Sequence, residues 1–187
     1  MTSQKIIKLV VASMFAALCY ICTTIVQIPS IKGYTHLGDG VVILSGVLLG
    51  PIYGSAAAGL GSMFADLLTG HVLYCIPTLL IKATVAIVAW LIFKSFSKIT
   101  KDPIVRILSV LLGGICGGII VTSGYLLYDM YFMGLGYGAV ANIPSNLVQN
   151  IFGIITSTVM FPALYRIPTI RSFSQPKPHI EENCLLK

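Results

Sequence analysis

The chain has 187 residues, of which 56% are hydrophobic and only 10% are charged. Soluble domains carry about 25% charged residues, so this composition excludes a disordered chain and disfavours an ordinary water-soluble domain. The net charge is +6, but the basic residues lie between apolar runs, which indicates membrane topology rather than nucleic-acid binding.

Six apolar segments follow one another, and we expect each to form a membrane helix. They cover about 6–26, 37–49, 52–68, 72–93, 104–127 and 139–165. A membrane-spanning helix needs about 20 residues, so the second segment is too short to cross upright. Because Gly50-Pro51 interrupts the pattern, the second and third segments are alternatively one broken hairpin that dips into the bilayer. The sequence predicts an all-α integral membrane bundle of six helices with a short second helix.

Lys and Arg residues predict the orientation of this bundle. They are concentrated before the first segment, between the fourth and fifth, and after the sixth. The positive-inside rule therefore favours an N-in, C-in topology, with Lys32 outside and Lys82 within a span. We expect residues 1–171 to form the membrane domain and 172–187 to form a flexible cytoplasmic tail.

Lys82 lies about 15 Å along the fourth segment from its outer end. A charge near the centre of a membrane helix costs about 2.5–3.5 kcal/mol on insertion scales, so Lys82 needs a partner or a function. Tyr74, Thr78 and Lys82 recur at intervals of four residues and therefore share one helix face.

The sixth segment carries a second polar stripe, which consists of Asn142, Asn146, Gln149 and Asn150. Four amides on one helix face are unfavourable in lipid, so they face another helix or a cavity. Interhelical hydrogen bonding is the alternative explanation. With both stripes in the outer halves of their helices, we interpret them as the walls of an outward-opening polar cavity.

The outer loop before the second segment contributes three further candidates, Tyr34, His36 and Asp39. It is either a lid over the cavity or a simple surface loop. Asp66, at the outer end of the third segment, completes the predicted substrate-binding set.

Sequence motifs of catalysis and cofactor binding are missing. Gly54 to Gly59 has the spacing of a phosphate loop, but Leu60 stands where Lys is needed. Cys19-x-x-Cys22 has no second metal-ligand pair. We expect no catalytic residues, no metal and no cofactor. A membrane-embedded enzyme using Asp66, His71 and Lys82, or a purely structural subunit, remains as an alternative.

Three stretches resemble the substrate-binding S components of energy-coupling factor (ECF) vitamin transporters. The first is Ala12-x-x-x-Ala16. The second begins at Ile28-Pro29, continues through Gly33-Tyr34-Thr35-His36-Leu37-Gly38-Asp39 and Leu49-Gly50-Pro51, and ends with Ala65-Asp66-Leu67 and Gly70. The third is Ile143 to Asn150 with Gly153. The subgroup it looks most like transports hydroxymethylpyrimidine, pyridoxine-type compounds and pantothenate.

This resemblance implies a six-helix protein of a prokaryotic plasma membrane that captures a vitamin or vitamin precursor from outside. It implies a membrane coupling (T) subunit and two ABC ATPase subunits as partners, with Ala12 and Ala16 matching the docking motif. ATP is then hydrolysed on other chains, in agreement with the missing phosphate loop. Lys82 would suit the carboxylate of pantothenate, whereas the amides with Tyr34 and Tyr74 suit a pyridine or pyrimidine, which the subgroup likeness favours.

Overall fold

The structure is a computed structural model and describes residues 2–25, 28–30 and 33–174. This part contains seven α-helices: α1 (Thr2–Thr24), α2 (Gly38–Leu49), α3 (Pro51–Leu68), α4 (Cys75–Ile99), α5 (Pro103–Tyr131), α6 (Ile143–Tyr165) and α7 (Pro168–Ser174). Short 3-10 turns, Val72–Tyr74 and Gly136–Asn142, lead into α4 and α6. The strands β1 (Ile28–Ser30) and β2 (Gly33–Thr35) form an antiparallel hairpin between α1 and α2.

The expectation of a helical membrane protein is met, with two exceptions in detail. The β-hairpin departs from a purely α-helical fold, and α7 is a short seventh helix where six were expected. Four stretches are long and apolar enough to cross a membrane, namely Gln4–Thr24, Val72–Ile99, Pro103–Tyr131 and Gly136–Tyr165. Large apolar side chains on these helices, such as Leu9, Met14 and Val159, are exposed, as lipid contact requires.

The short helix α2 lies at the centre of the bundle. All twelve of its residues are buried, and it packs against α1, α3, α4 and α6. Two glycines allow backbones to meet directly: a Cβ on Gly46 would lie 2.1 Å from the Ala86 carbonyl oxygen, and one on Gly54 2.3 Å from that of Ser45. Apart from Asp39 and Ser45, α2 is apolar or glycine on every face, because no face of it reaches lipid or water.

The break between α2 and α3 has a clear local cause. Gly50 adopts a φ of 84°, a conformation that favours glycine, and ends α2. Pro51 follows as the first residue of α3, where its missing N–H leaves no hydrogen bond unmade. The dipeptide that breaks the apolar pattern thus separates two packed helices.

The predicted tail begins inside an ordered element. Residues 172–174 form the end of α7, which packs against α2 and α6. The rest of the predicted tail, residues 175–187, lies outside the described residues, as does Lys32. The division into a membrane domain, residues 1–171, and a tail, residues 172–187, stays a prediction.

Candidate functional site

A buried polar cluster joins three helices below the β-hairpin. We call Asp39 of α2, Lys82 of α4 and Gln149 of α6 the inner cluster. The Nζ atom of Lys82 donates a hydrogen bond to Oδ1 of Asp39, and Nε2 of Gln149 donates to Oδ2 at 2.9 Å. Lys82 is completely buried, with an exposed fraction of 0%. Its charge inside the membrane region is therefore compensated by a carboxylate of another helix.

The aromatic ring of Tyr125 on α5 extends the inner cluster. Its centroid is 5.5 Å from the Lys82 Nζ atom, and its hydroxyl is hydrogen-bonded to Oγ1 of Thr78 at 2.9 Å. Thr78 and Lys82, which share one face of α4, thus both contact α5. Both side chains reach Tyr125 because they lie one helical turn apart on the same face of α4, as the sequence spacing predicts.

A second polar cluster lies nearer the hairpin end of the bundle. We call Asp129 of α5, Tyr74 and Asn142 the outer cluster. The Tyr74 hydroxyl donates to Oδ1 of Asp129 at 2.7 Å, and Nδ2 of Asn142 donates to Oδ2 at 2.8 Å. Asp129 is 3% exposed and is held by two neutral donors. It was not among the predicted site residues, although a lone acid in an apolar stretch of 29 residues was a visible signal.

The two predicted stripes therefore meet, but each meeting is made through an acidic residue of a third helix. Tyr74 and Asn142 meet on Asp129, and Lys82 and Gln149 meet on Asp39. A cavity of about 10 Å³ adjoins Asp39 and Asn150, which is room for about one water molecule. A vitamin-sized cavity between the stripes stays a prediction.

Two amides of α6 still have free hydrogen-bonding capacity among the described residues. Asn150 donates to the Gly118 carbonyl oxygen and to Oγ1 of Thr122, both at 2.9 Å, but its own buried Oδ1 atom has no partner there. Asn146 is half-buried and makes no side-chain hydrogen bond within the same part of the chain. These amides are available to a ligand or to water.

The remaining predicted binding residues come from the hairpin region and from α3. His36 is buried, and its Nδ1 atom accepts a hydrogen bond from the Gly38 amide at 3.1 Å. Burial lowers the pKa of His36 to about 4, so the ring is neutral at pH 7. Asp66 is buried near the end of α3, and its carbonyl oxygen accepts from the His71 amide. Tyr34 belongs to β2, and its side chain lies outside the described residues.

The predicted docking pair on α1 faces the interior of the bundle. Ala12 is 7% exposed and belongs to the hydrophobic core. Ala16 is half-buried, and its carbonyl oxygen would lie 2.4 Å from a Cβ on Gly61 of α3. These small residues let α1 and α3 pack closely. A role of Ala12 and Ala16 in docking a partner stays a prediction.

The chain is similar to known transporter subunits over nearly its whole length. A family model described as "ECF-type riboflavin transporter, S component" matches residues 3–166. A protein of Pyrococcus woesei, described as an uncharacterized protein in a gap 3′ region, is 38% identical over 131 residues. The match covers 70% of this chain and 81% of that protein.

Two solved structures share the fold. The S component of a bacterial ECF transporter superposes with a TM-score of 0.66 at 22% identity, covering 86% of this chain and 96% of that one. The S component for biotin from an ECF-type ABC transporter gives a TM-score of 0.58 at 19% identity. The match covers 94% of this chain and 95% of that one. The hydroxymethylpyrimidine, pyridoxine and pantothenate subgroup is not confirmed by these matches. With 164 matched residues and a shared fold, the chain belongs to the family of ECF-type riboflavin transporter S components, which are transporter subunits.

Proposed function

We propose that this chain captures a small polar aromatic heterocycle, such as a pyridoxine- or hydroxymethylpyrimidine-like vitamin precursor, at the outer face of a prokaryotic plasma membrane. The meeting of the α4 and α6 stripes on Asp129 and Asp39 is the observation that carries this proposal. Ligand sites combine apolar walls with a few placed polar groups, which is the composition found here.

The chemistry of the outer cluster suits a ring with hydroxyl or amino substituents. Asp129 accepts from Tyr74 and Asn142 and retains lone pairs for a further donor. The Tyr74 ring lies 5.4 Å from that of Tyr128 and 6.3 Å from that of Tyr125, between centroids. Aromatic side chains in this arrangement offer faces and edges to a planar ligand.

The charge balance separates the candidate ligands. Lys82 is already neutralised by Asp39, so a ligand carboxylate would have to displace an ion-paired and hydrogen-bonded group. This disfavours the alternative, pantothenate. Riboflavin is a second candidate because the matching family model bears its name.

We further propose that the helical bundle spans the membrane with both chain ends inside, and that the short α2 lies within it without crossing the bilayer upright. A T subunit and two ABC ATPases would complete the importer. The basic residues Lys8, Lys94, Arg106 and Arg171 gather at the end of the bundle opposite the β-hairpin, which supports this topology. An enzyme using Lys82 is disfavoured because the buried ammonium is held by Asp39.

Native mass spectrometry of the protein purified from cells tests the proposal by identifying a retained small molecule. A thermal-shift titration with pyridoxine, hydroxymethylpyrimidine, riboflavin and pantothenate then ranks the candidates. We expect stabilisation by a heterocycle without ATP. Asn142→Ala should weaken it, whereas Thr84→Ala on the exposed face of α4 should not. No retained molecule and no stabilisation by any of the four compounds would contradict the proposal.

A further inference from the structure

Four cationic side chains lie at the end of the bundle opposite the β-hairpin. We call Lys8, Lys94, Arg106 and Arg171 the basic ring. Within residues 2–25, 28–30 and 33–174, none of these four side chains forms an ion pair with a carboxylate. Asp102, four residues before Arg106, caps α5 by accepting from the Ile104 amide at 2.8 Å. The basic ring thus concentrates positive charge without a counter-charge from the described residues.

Aromatic rings hold these cations in place. Arg106 and Arg171 both lie over the Tyr165 ring, with Cζ 5.3 Å and 5.8 Å from its centroid. The Nζ atom of Lys8 is 5.3 Å from the Tyr53 centroid, and that of Lys94 is 4.4 Å from the Trp90 centroid. Cation–π contacts fix the position of a charged group and leave the donors of the guanidinium plane available.

One of these donors is buried and unused. The Nε atom of Arg106 has no hydrogen-bond partner in the described part of the chain, although it is shielded from water. A buried N–H without an acceptor is unfavourable, so this geometry points to an acceptor that occupies the site in the membrane. The planar fork of arginine matches the oxygens of a phosphate group.

The surroundings identify the source of that phosphate. Ile167, one helical turn before Arg171, is 44% exposed and offers apolar surface to an acyl chain on the same side as the Arg171 backbone. Trp and Tyr side chains beside the cations are typical of the headgroup level of a bilayer. We propose that the basic ring, centred on Arg106, Arg171 and Tyr165, is a binding site for the phosphate headgroup of an anionic phospholipid.

Lipid binding to delipidated protein in neutral detergent tests this site, with phosphatidylglycerol compared against phosphatidylcholine by native mass spectrometry and thermal unfolding. We expect wild-type protein to retain phosphatidylglycerol about tenfold more strongly and to unfold at a higher temperature in its presence. The double variant Arg106→Gln/Arg171→Gln should lose this preference. Lys98→Gln/Lys101→Gln, which removes two exposed basic residues, should keep it.

A single variant and a control with inorganic phosphate complete the experiment. Arg171→Gln alone changes an exposed side chain and should fold normally while reducing the preference about threefold. Inorganic phosphate at millimolar concentration should not reproduce the stabilisation. Equal effects of both lipids, equal losses in both double variants, or full stabilisation by inorganic phosphate would overturn the proposal. The first of these outcomes would assign the basic ring to an acidic protein surface.

Discussion

The inner cluster and the basic ring handle positive charge in opposite ways within one small protein. Lys82 lies in the middle of the bundle, is fully buried and is paired with Asp39. The four cations of the basic ring lie near helix ends and contact aromatic rings, with no carboxylate partner in the part of the chain that the structure describes. The difference indicates that the fully buried cation is compensated by a carboxylate, whereas the cations at the helix ends are held by aromatic rings.

Lys82→Met should give the largest effect because it leaves the Asp39 carboxylate buried without its counter-charge. Breaking a buried pair costs about 3–5 kcal/mol, so we expect a loss of that order in the free energy of unfolding in detergent. The double variant Asp39→Asn/Lys82→Met should recover most of it. Lys98→Met, at an exposed position, is the matched control and should be neutral. A neutral Lys82→Met would show that the pair contributes nothing.

The pH dependence of stability should distinguish the hairpin end from the basic ring. His36 is neutral when folded because burial lowers its pKa to about 4, whereas its unfolded value is 6.5. Above pH 6.5 both states are neutral, and between pH 6.5 and 4 only the unfolded state gains a proton. Stability should therefore fall over this range, by up to about 1.4 kcal/mol per pH unit. Thermal unfolding measured against pH tests this, and His36→Gln should flatten the profile.

Asn146→Ala should affect ligand binding rather than folding. Its side chain makes no hydrogen bond to the other described residues, so the free energy of unfolding should change by less than about 0.5 kcal/mol. Affinity for the identified ligand should fall about tenfold, which equals about 1.4 kcal/mol. Titration calorimetry measures the affinity. Unchanged affinity would remove Asn146 from the binding site, in contrast to the inner cluster, whose loss is structural.

Arg171→Gln should have the smallest effect on the lipid-free protein. An exposed cation–π contact is worth about 0.5–1 kcal/mol, so chemical unfolding should report no more than that. A larger loss in the absence of lipid would mean that Arg171 holds α7 on the bundle. The different stability losses of Arg171→Gln and Lys82→Met would then no longer be explained only by how deeply each charge is buried.

Helix periodicity predicted the shared faces but not the partners across helices. The spacing of Tyr74, Thr78 and Lys82 predicted that these side chains point in one direction, and their contacts confirm it. The pairing of Lys82 with a residue 43 positions earlier depends on how α2 sits against α4, which no local pattern reports.

The sequence also did not predict which helix the small residues of α1 pack against. Ala12-x-x-x-Ala16 predicts close packing on either side of the helix, and only the tertiary structure shows Gly61 as the neighbour. The Gly50-Pro51 break and the shortness of α2, in contrast, were readable from residue chemistry.

The enclosed position of α2 has a consequence for how the subunit moves. Its backbone touches Ala86 of α4 and helix α3 through glycines, with no side chain between that could change rotamer. Sliding α2 along its neighbours would drive carbonyl groups into each other. The centre of the molecule therefore resists internal rearrangement, and we expect any change of shape to occur at the rim of the bundle.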